Sequence, residues 1–278
     1  MSVALAATLH DATGALRAET RRRLPALRAL YPAGIAVATS PPTAASMRAL
    51  LDAEGVHAGS PRTNVRGPLY RLALRRALAT GAARVHYLDF DRALHWQAAA
   101  PGEYAALLRL ALGGAPLLIG RSERAHRSHH RPLHETETAA NRHMAERLGW
   151  RGRIDFLVPS FVLGRGALGA LLRASRTRDA AVYGELAALV AATPGLAYVE
   201  CDGLDWETPD RHPRAVARVG LAAWRARFDQ PEERTLRAEM AASIVRGFER
   251  TLARVSPFGP APRACRLRAA HHADRARR

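Results

Sequence analysis

The chain has 278 residues, with 42 basic against 25 acidic side chains, a formal net charge of +17 and a pI near 11.4. At 48% hydrophobic and 24% charged, its composition excludes a disordered chain, and no apolar run approaches the roughly 18 residues needed to span a bilayer. Two cysteines, Cys201 and Cys265, are too few for a disulfide framework or a cysteine-based zinc site. The opening MSVALAATLHDATG has no basic n-region, so no signal peptide is expected and the cytoplasm is the expected compartment. Every basic residue is arginine, and alanine fills about a fifth of the chain, which is what GC-rich coding produces. Bias of that kind spreads charge, whereas a nucleic-acid surface clusters it. Arginines here run throughout, with denser knots at Arg21-Arg22-Arg23, Arg75-Arg76 and the last sixteen residues.

In chain order, Val3–Leu9 reads as a buried strand, and Leu16, Thr20, Leu24, Leu27 and Leu30 mark a helix face. Ile35–Ala38 is a second strand, Pro41-Pro42-Thr43 opens a helix through Leu51, and Gly55–Ala58 is a short third strand. Pro68–Ala79 is helical, ended by Gly81, and Val85–Leu88 is a fourth strand. The helix Pro101–Leu112 leads to the strand Pro116–Ile119. Then come a helix at Glu135–Leu148, a strand-like Ile154–Leu163 interrupted by Pro159, helices at Ala167–Ala174 and Tyr183–Ala192, and the strand Leu196–Glu200. Helices at Pro213–Arg227 and Pro231–Arg254 close the fold, the last with Leu236, Met240, Ile244, Phe248 and Leu252 every four residues. This alternation predicts one α/β domain over residues 1–258, Rossmann-like, with a mainly parallel sheet covered by helices on both faces and followed by C-terminal helices. Residues 259–278 are expected to form a basic, disordered tail.

The sharpest chemical feature is Tyr87-Leu88-Asp89-Phe90-Asp91-Arg92. A strand ends there in two carboxylates at i, i+2, at the sheet edge where open α/β folds bind ligands. Two carboxylates plus diphosphate oxygens are an ordinary environment for Mg²⁺ or Mn²⁺. A second segment, Gly120 to Glu137, places Arg121, Arg124, His130 and Arg131 after a strand, where they suit phosphate or an anionic acceptor, with a plain basic loop as the alternative. The spacing of His126, His129, His130 and His134 fits no standard zinc site. A third segment, Cys201 to His212, carries Asp202, Asp205, Glu207 and Asp210 around Trp206 after another strand.

The stretch Asn64-Val65-Arg66-Gly67-Pro68, the helix ending at Gly81 and VHYLDFDR together resemble the central block of GT-A-fold glycosyltransferases, especially the family 2-like group. The opening strand VALAATLHD resembles that family's first strand, and the likeness spans about residues 1–210. The resemblance implies a GT-A-like domain holding a UDP- or GDP-linked sugar donor. Leu9, His10, Asp11, Arg66, Asp89, Asp91, Arg92, Arg121 and Arg131 would serve the donor, and Asp89, Asp91 and His212 the Mg²⁺ or Mn²⁺. It also implies an acidic base, for which Glu185 is preferred and Glu207 is eligible. No Glu-Asp or Gln-x-x-Arg-Trp motif follows, so the motifs do not assign that base. The acceptor is open: a basic face resting on anionic lipid at the inner membrane surface would suit a lipid-linked one, and the arginines an anionic one. Two other functions stand beside this one. A sugar-phosphate nucleotidyltransferase lacks support in Thr8–Gly14, which is no Gly-rich phosphate loop; an Arg-rich nucleic-acid binder lacks a recognisable module and aromatic residues, at 6%.

Overall fold

Val3–Leu9 forms β1, and all seven residues are buried, as a strand flanked by helices on both faces requires. The computed structural model describes residues 2–255 and 262–265. After β1 come α1 (Arg17–Leu30), β2 (Ile35–Thr39), α2 (Ala45–Ala53), β3 (His57–Gly59), α3 (Arg66–Ala79), β4 (Arg84–Tyr87), α4 (Phe90–Ala99) and α5 (Pro101–Leu112). The second half adds β5 (Leu117–Arg121), α6 (Glu123–Ser128), α7 (Arg131–Arg147), β6 (Ser160–Gly164), α8 (Arg165–Ala174), α9 (Val182–Ala191) and β7 (Ala197–Cys201). A 3₁₀ turn (Thr208–Arg211) leads into α10 (Pro213–Val219), α11 (Leu221–Ala226), α12 (Pro231–Leu252) and β8 (Arg263–Cys265).

The strands form one sheet in the order β3-β2-β1-β4-β6-β5-β7-β8, in which β6 runs antiparallel to both β4 and β5. This is the α/β, Rossmann-like domain with a mostly parallel sheet that the alternation predicted. Side chains alternate between the faces: Ala4 and Ala6 of β1 join the core under α3, α7, α8, α9 and α12, while Val3, Leu5, Ala7 and Leu9 join the core under α1, α2, α4 and α5. From β1 the chain moves to β2 and β3 on one side, then returns under α3 to β4 on the other side of β1. The connections beyond β1 and β4 therefore diverge, and a crevice opens at their carboxyl ends.

Several local expectations change. β6 begins only at Ser160, because Pro159 cannot donate to a ladder; 154–158 are buried but are not strand. The stretch Pro213–Arg227 is two helices, broken at Gly220, whose φ is +82°. Residues 90–99 and 123–128 are helical, α6 being capped by Ser122, which accepts the Ala125 amide at 3.1 Å. On α12 the apolar row is buried only at Ile244 and Phe248, while Leu236 stays 56% exposed. α12 meets α9 backbone to backbone: a Cβ on Gly184 would sit 1.9 Å from the Ile244 carbonyl oxygen, and one on Gly247 would sit 2.1 Å from that of Ala181. Arg263–Cys265, expected to lie in the disordered tail, instead pairs in parallel with β7 as β8; the rest of 259–278, apart from Pro262, lies outside the described residues. Among the described residues no helix is long and apolar enough to cross a membrane.

Candidate active site

The crevice beyond β1 and β4 is a cleft of about 320 Å³, a size suited to a small molecule. β1 supplies Thr8 and Leu9 and is followed by His10, the loop before α3 supplies Asn64 and the first residue of α3 is Arg66, while Asp89 caps α4 and Asp91 lies in its first turn. Tyr183, at the start of α9, and Arg211, from the 3₁₀ turn after β7, complete the walls. Strand register joins the first and third groups: Ala6 pairs with Tyr87, so Thr8 and Asp89 both lie two residues beyond that pair. Thr8 Oγ1 donates to Asp89 Oδ1 at 2.7 Å, and the Tyr87 hydroxyl donates to the same oxygen at 2.9 Å.

The two carboxylates differ electrostatically. Burial, reinforced by the charge of Asp91, raises the pKa of Asp89, and Arg92, Thr8 and Tyr87 offset this only in part. Asp91 is ion-paired: Oδ2 accepts Arg211 Nη2 at 2.6 Å, and Oδ1 accepts the Arg92 amide at 2.9 Å. Arg211 also donates through Nη1 to the His10 carbonyl at 2.8 Å. Arg66 donates to the Tyr183 hydroxyl at 2.8 Å, with its guanidinium 5.2 Å from the centre of that ring. The arm carrying Arg211 is fixed by His95 of α4, whose two ring nitrogens each lie 2.7 Å from a carboxylate, Asp205 and Asp210. Burial disfavours the His95 charge, but those two acids outweigh it and push its pKa up to about 10.

The structure thus brings Leu9, His10, Arg66, Asp89 and Asp91 to one cleft. Asp11 sits beside it but turns inward, accepting the Ala15 and Leu16 amides at 3.0 Å each at the start of α1. Arg92 points away from the cleft toward Glu207, with Nη2 3.6 Å from Oε1. Burial raises the Glu207 carboxyl, opposed by Arg92 and helped by Asp91.

Five other expected residues lie outside the cleft lining. Arg121 is completely buried and its guanidinium is bound by Asp155 and Glu137, so it holds the core rather than phosphate. Arg131 is exposed and pairs with Glu135 one helical turn on, and Arg124 pairs with Asp202 and Asp205. His130 is buried, not part of an open basic loop. Glu185, the preferred base, is spent on structure: it accepts Ser175 Oγ at 2.7 Å, the Arg176 amide at 2.8 Å and the Thr177 amide at 3.1 Å. Burial opposes its charge, yet those donors hold its pKa below the ordinary carboxylate value. The loop that it ties down seats against α3, where a Cβ on Gly67 would lie 2.0 Å from the Thr177 carbonyl oxygen, so Glu185 helps to position the neighbouring Arg66.

Arg211, Tyr183 and Thr8 were not singled out from sequence. Arg211 had one available signal, its place behind a strand in an acid-rich segment. For a divalent cation the donor set is limited: among the described residues no group of three or more His, Cys, Asp or Glu converges, and exposed His212 packs on Trp224. Asp89 and Asp91 are the carboxylates that line the cleft, and Asp91 is already paired with Arg211. The chain matches no protein-family model, and no curated protein shows significant sequence similarity to it. Fold and cleft define a Rossmann-like α/β protein with a crevice at the point where its strand order reverses.

Proposed function

We propose that the cleft binds the diphosphate of a UDP- or GDP-linked sugar and that the protein is a glycosyltransferase. The observation that carries this reading is the joint presence of two carboxylates, Asp89 and Asp91, and two guanidinium groups, Arg66 and Arg211, in one cleft at the switch point. Arginine forks match phosphate oxygens, and the carboxylates are the acidic counterpart that a phosphate-bound cation needs. Mg²⁺ or Mn²⁺, when bound, would supply Lewis-acid stabilisation of the leaving diphosphate. In the transfer, an acceptor hydroxyl oxygen bonds to the anomeric carbon and the bond from that carbon to the diphosphate oxygen breaks, its electron pair leaving with the diphosphate. The hydroxyl proton goes to a carboxylate, for which Glu207, raised by burial and standing behind Arg92 outside the cleft lining, is the eligible group.

The Arg211–Asp91 ion pair favours a second reading of the same cleft, in which Arg66 and Arg211 alone neutralise the diphosphate and no cation is needed. Thermal melts with UDP, GDP and their sugars, with and without Mn²⁺ or Mg²⁺, separate the two. A nucleotide shift that requires metal and disappears in Asp91→Asn supports the first. A metal-independent shift supports the second, and no shift at all removes the nucleotide reading.

A further inference from the structure

Behind Arg92 lies a separate cavity of about 120 Å³, lined by Arg92, His129, His130, Trp206, Glu207 and Phe228 among others. Four buried polar atoms on its lining residues have no hydrogen-bond partner: Arg92 Nη1, His129 Nε2, His130 Nδ1 and Glu207 Oε2. Buried polar groups are normally satisfied, so such a concentration at one cavity points to something that fills it.

The imidazole of His129 defines what that is. Its side chain is 1% exposed, and its Nδ1 lies 3.1 Å from the Ala125 carbonyl oxygen, which can only accept. Nδ1 therefore carries the proton. Burial, together with the charges of Arg121 and Arg92, holds the ring neutral, which leaves Nε2 as a bare lone pair. That lone pair stands 3.9 Å from Glu207 Oε2, too far for a direct bond. Two acceptors thus face each other across a gap, with the Arg92 guanidinium as a donor beside them and the Trp206 and Phe228 rings in the wall. An oxyanion would be repelled by both acceptors, and the two arginines of the lining are already paired, Arg92 with Glu207 and Arg237 with Glu233. A hydroxyl group satisfies either one and can accept from Arg92 in return, while aromatic rings suit the C–H faces of a polyol.

We propose that this cavity receives a neutral polyol edge, a vicinal diol or hydroxymethyl group of the second substrate, with His129 Nε2 accepting a substrate hydroxyl. The volume suits such an edge, being about four times the ~30 Å³ share of one water. This rests on the reading of the cleft as the donor site and narrows the acceptor to a neutral hydroxylated molecule, not an anionic one.

The test uses the full-length protein with ¹⁵N-labelled histidine. The free protein is expected to show His129 in the Nδ1-protonated form. Titration with glucose, galactose, mannose and myo-inositol, in the presence of UDP and Mg²⁺, is expected to move the Nε2 resonance saturably, whereas phosphate and acetate leave it unmoved. His129→Asn keeps a donor for the Ala125 carbonyl and removes the Nε2 acceptor; it should weaken polyol binding roughly 3- to 10-fold, the worth of one net hydrogen bond, with the nucleotide-induced melting shift intact. Glu207→Gln, which conserves shape, provides a second variant with the same expected loss. A protonated Nε2, a response to anions, or no saturable response to any of these polyols overturns the proposal. If the wild-type protein shows no nucleotide shift, the donor-site reading fails instead, and polyol titration without UDP then judges the cavity by itself.

Discussion

Arg211 and Asp91, 120 residues apart in the chain, meet at 2.6 Å through Nη2 and Oδ2, and that contact closes the cleft between the segment after β7 and the turn after β4. It makes one guanidinium both the partner of Asp91 and a wall of the cleft proposed to take the diphosphate. An anion entering the cleft competes with Asp91 for Arg211, and a cation competes with Arg211 for Asp91.

Replacing Arg211 with Gln should therefore weaken UDP or GDP binding about 10- to 100-fold, the worth of a charge-assisted hydrogen bond. Isothermal titration of the nucleotide at fixed Mg²⁺ measures this. An unchanged affinity would remove Arg211 from the binding site.

Asp89 is expected to trade stability for function. Its pKa is raised in the folded state, so the folded protein favours its neutral form and loses stability as pH climbs from the unfolded value near 4 through the raised one. Asp89→Asn should raise the melting temperature of the ligand-free protein increasingly toward high pH, by a few degrees, equivalent to about 1 kcal/mol in a domain of this size, while abolishing the metal-dependent nucleotide shift. A lower melting temperature would show that the carboxylate is compensated in the fold.

His95 has the opposite dependence. With two acids at its two nitrogens it must be an imidazolium, and its folded pKa of about 10 exceeds the ordinary value of 6.5. Its contribution is fully present below about pH 6.5 and disappears as pH rises through about 10. His95→Gln should be clearly destabilised at pH 6, and its deficit should shrink toward pH 10. Because the same clamp holds the segment bearing Glu207 and Arg211, nucleotide affinity should fall as well. Parallel melting curves at every pH would disprove the clamp.

Arg121→Met should cost about 3–5 kcal/mol in urea unfolding, since it leaves Asp155 and Glu137 with no counter-charge in the core. A change under 1 kcal/mol would mean that water reaches these acids.

Glu185→Gln is expected to lower stability by roughly 1–3 kcal/mol, because donors arranged for a carboxylate lose part of their acceptor. The nucleotide shift should survive in that variant. Loss of the shift from a protein that still melts cooperatively would show that the loop held by Glu185 sets the position of Arg66 at the cleft.

Much of the fold was legible in the chain. β1 is a run of seven apolar or small residues that can be buried on both sides, and Pro101 and Pro231 mark helix starts where a missing amide costs nothing. The helix at 123–128 was hidden because its His and Arg residues carry no apolar period, and the break at Gly220 because one glycine in a helical stretch is ordinarily tolerated. The exposed Leu236 shows the same limit: a period of four identifies a face, not how much of that face finds a partner.

At the site, the sequence by itself determined that Asp89 and Asp91 closely follow a strand, because an apolar run followed by acids fixes where a strand leaves the core; that Asp89 caps a helix and Asp91 begins its first turn came from the fold. Which charges would be spent inside the protein was decided only by tertiary structure. Arg121 and Glu185 look like available charges in the sequence, but each is desolvated against partners 8 to 69 residues away and is consumed there. Arg211 looks like any other arginine until the chain returns it to Asp91. A side chain's type is local information, whereas its charge state and availability depend on the neighbours that replace water around it, and those are set by the order in which the strands assemble.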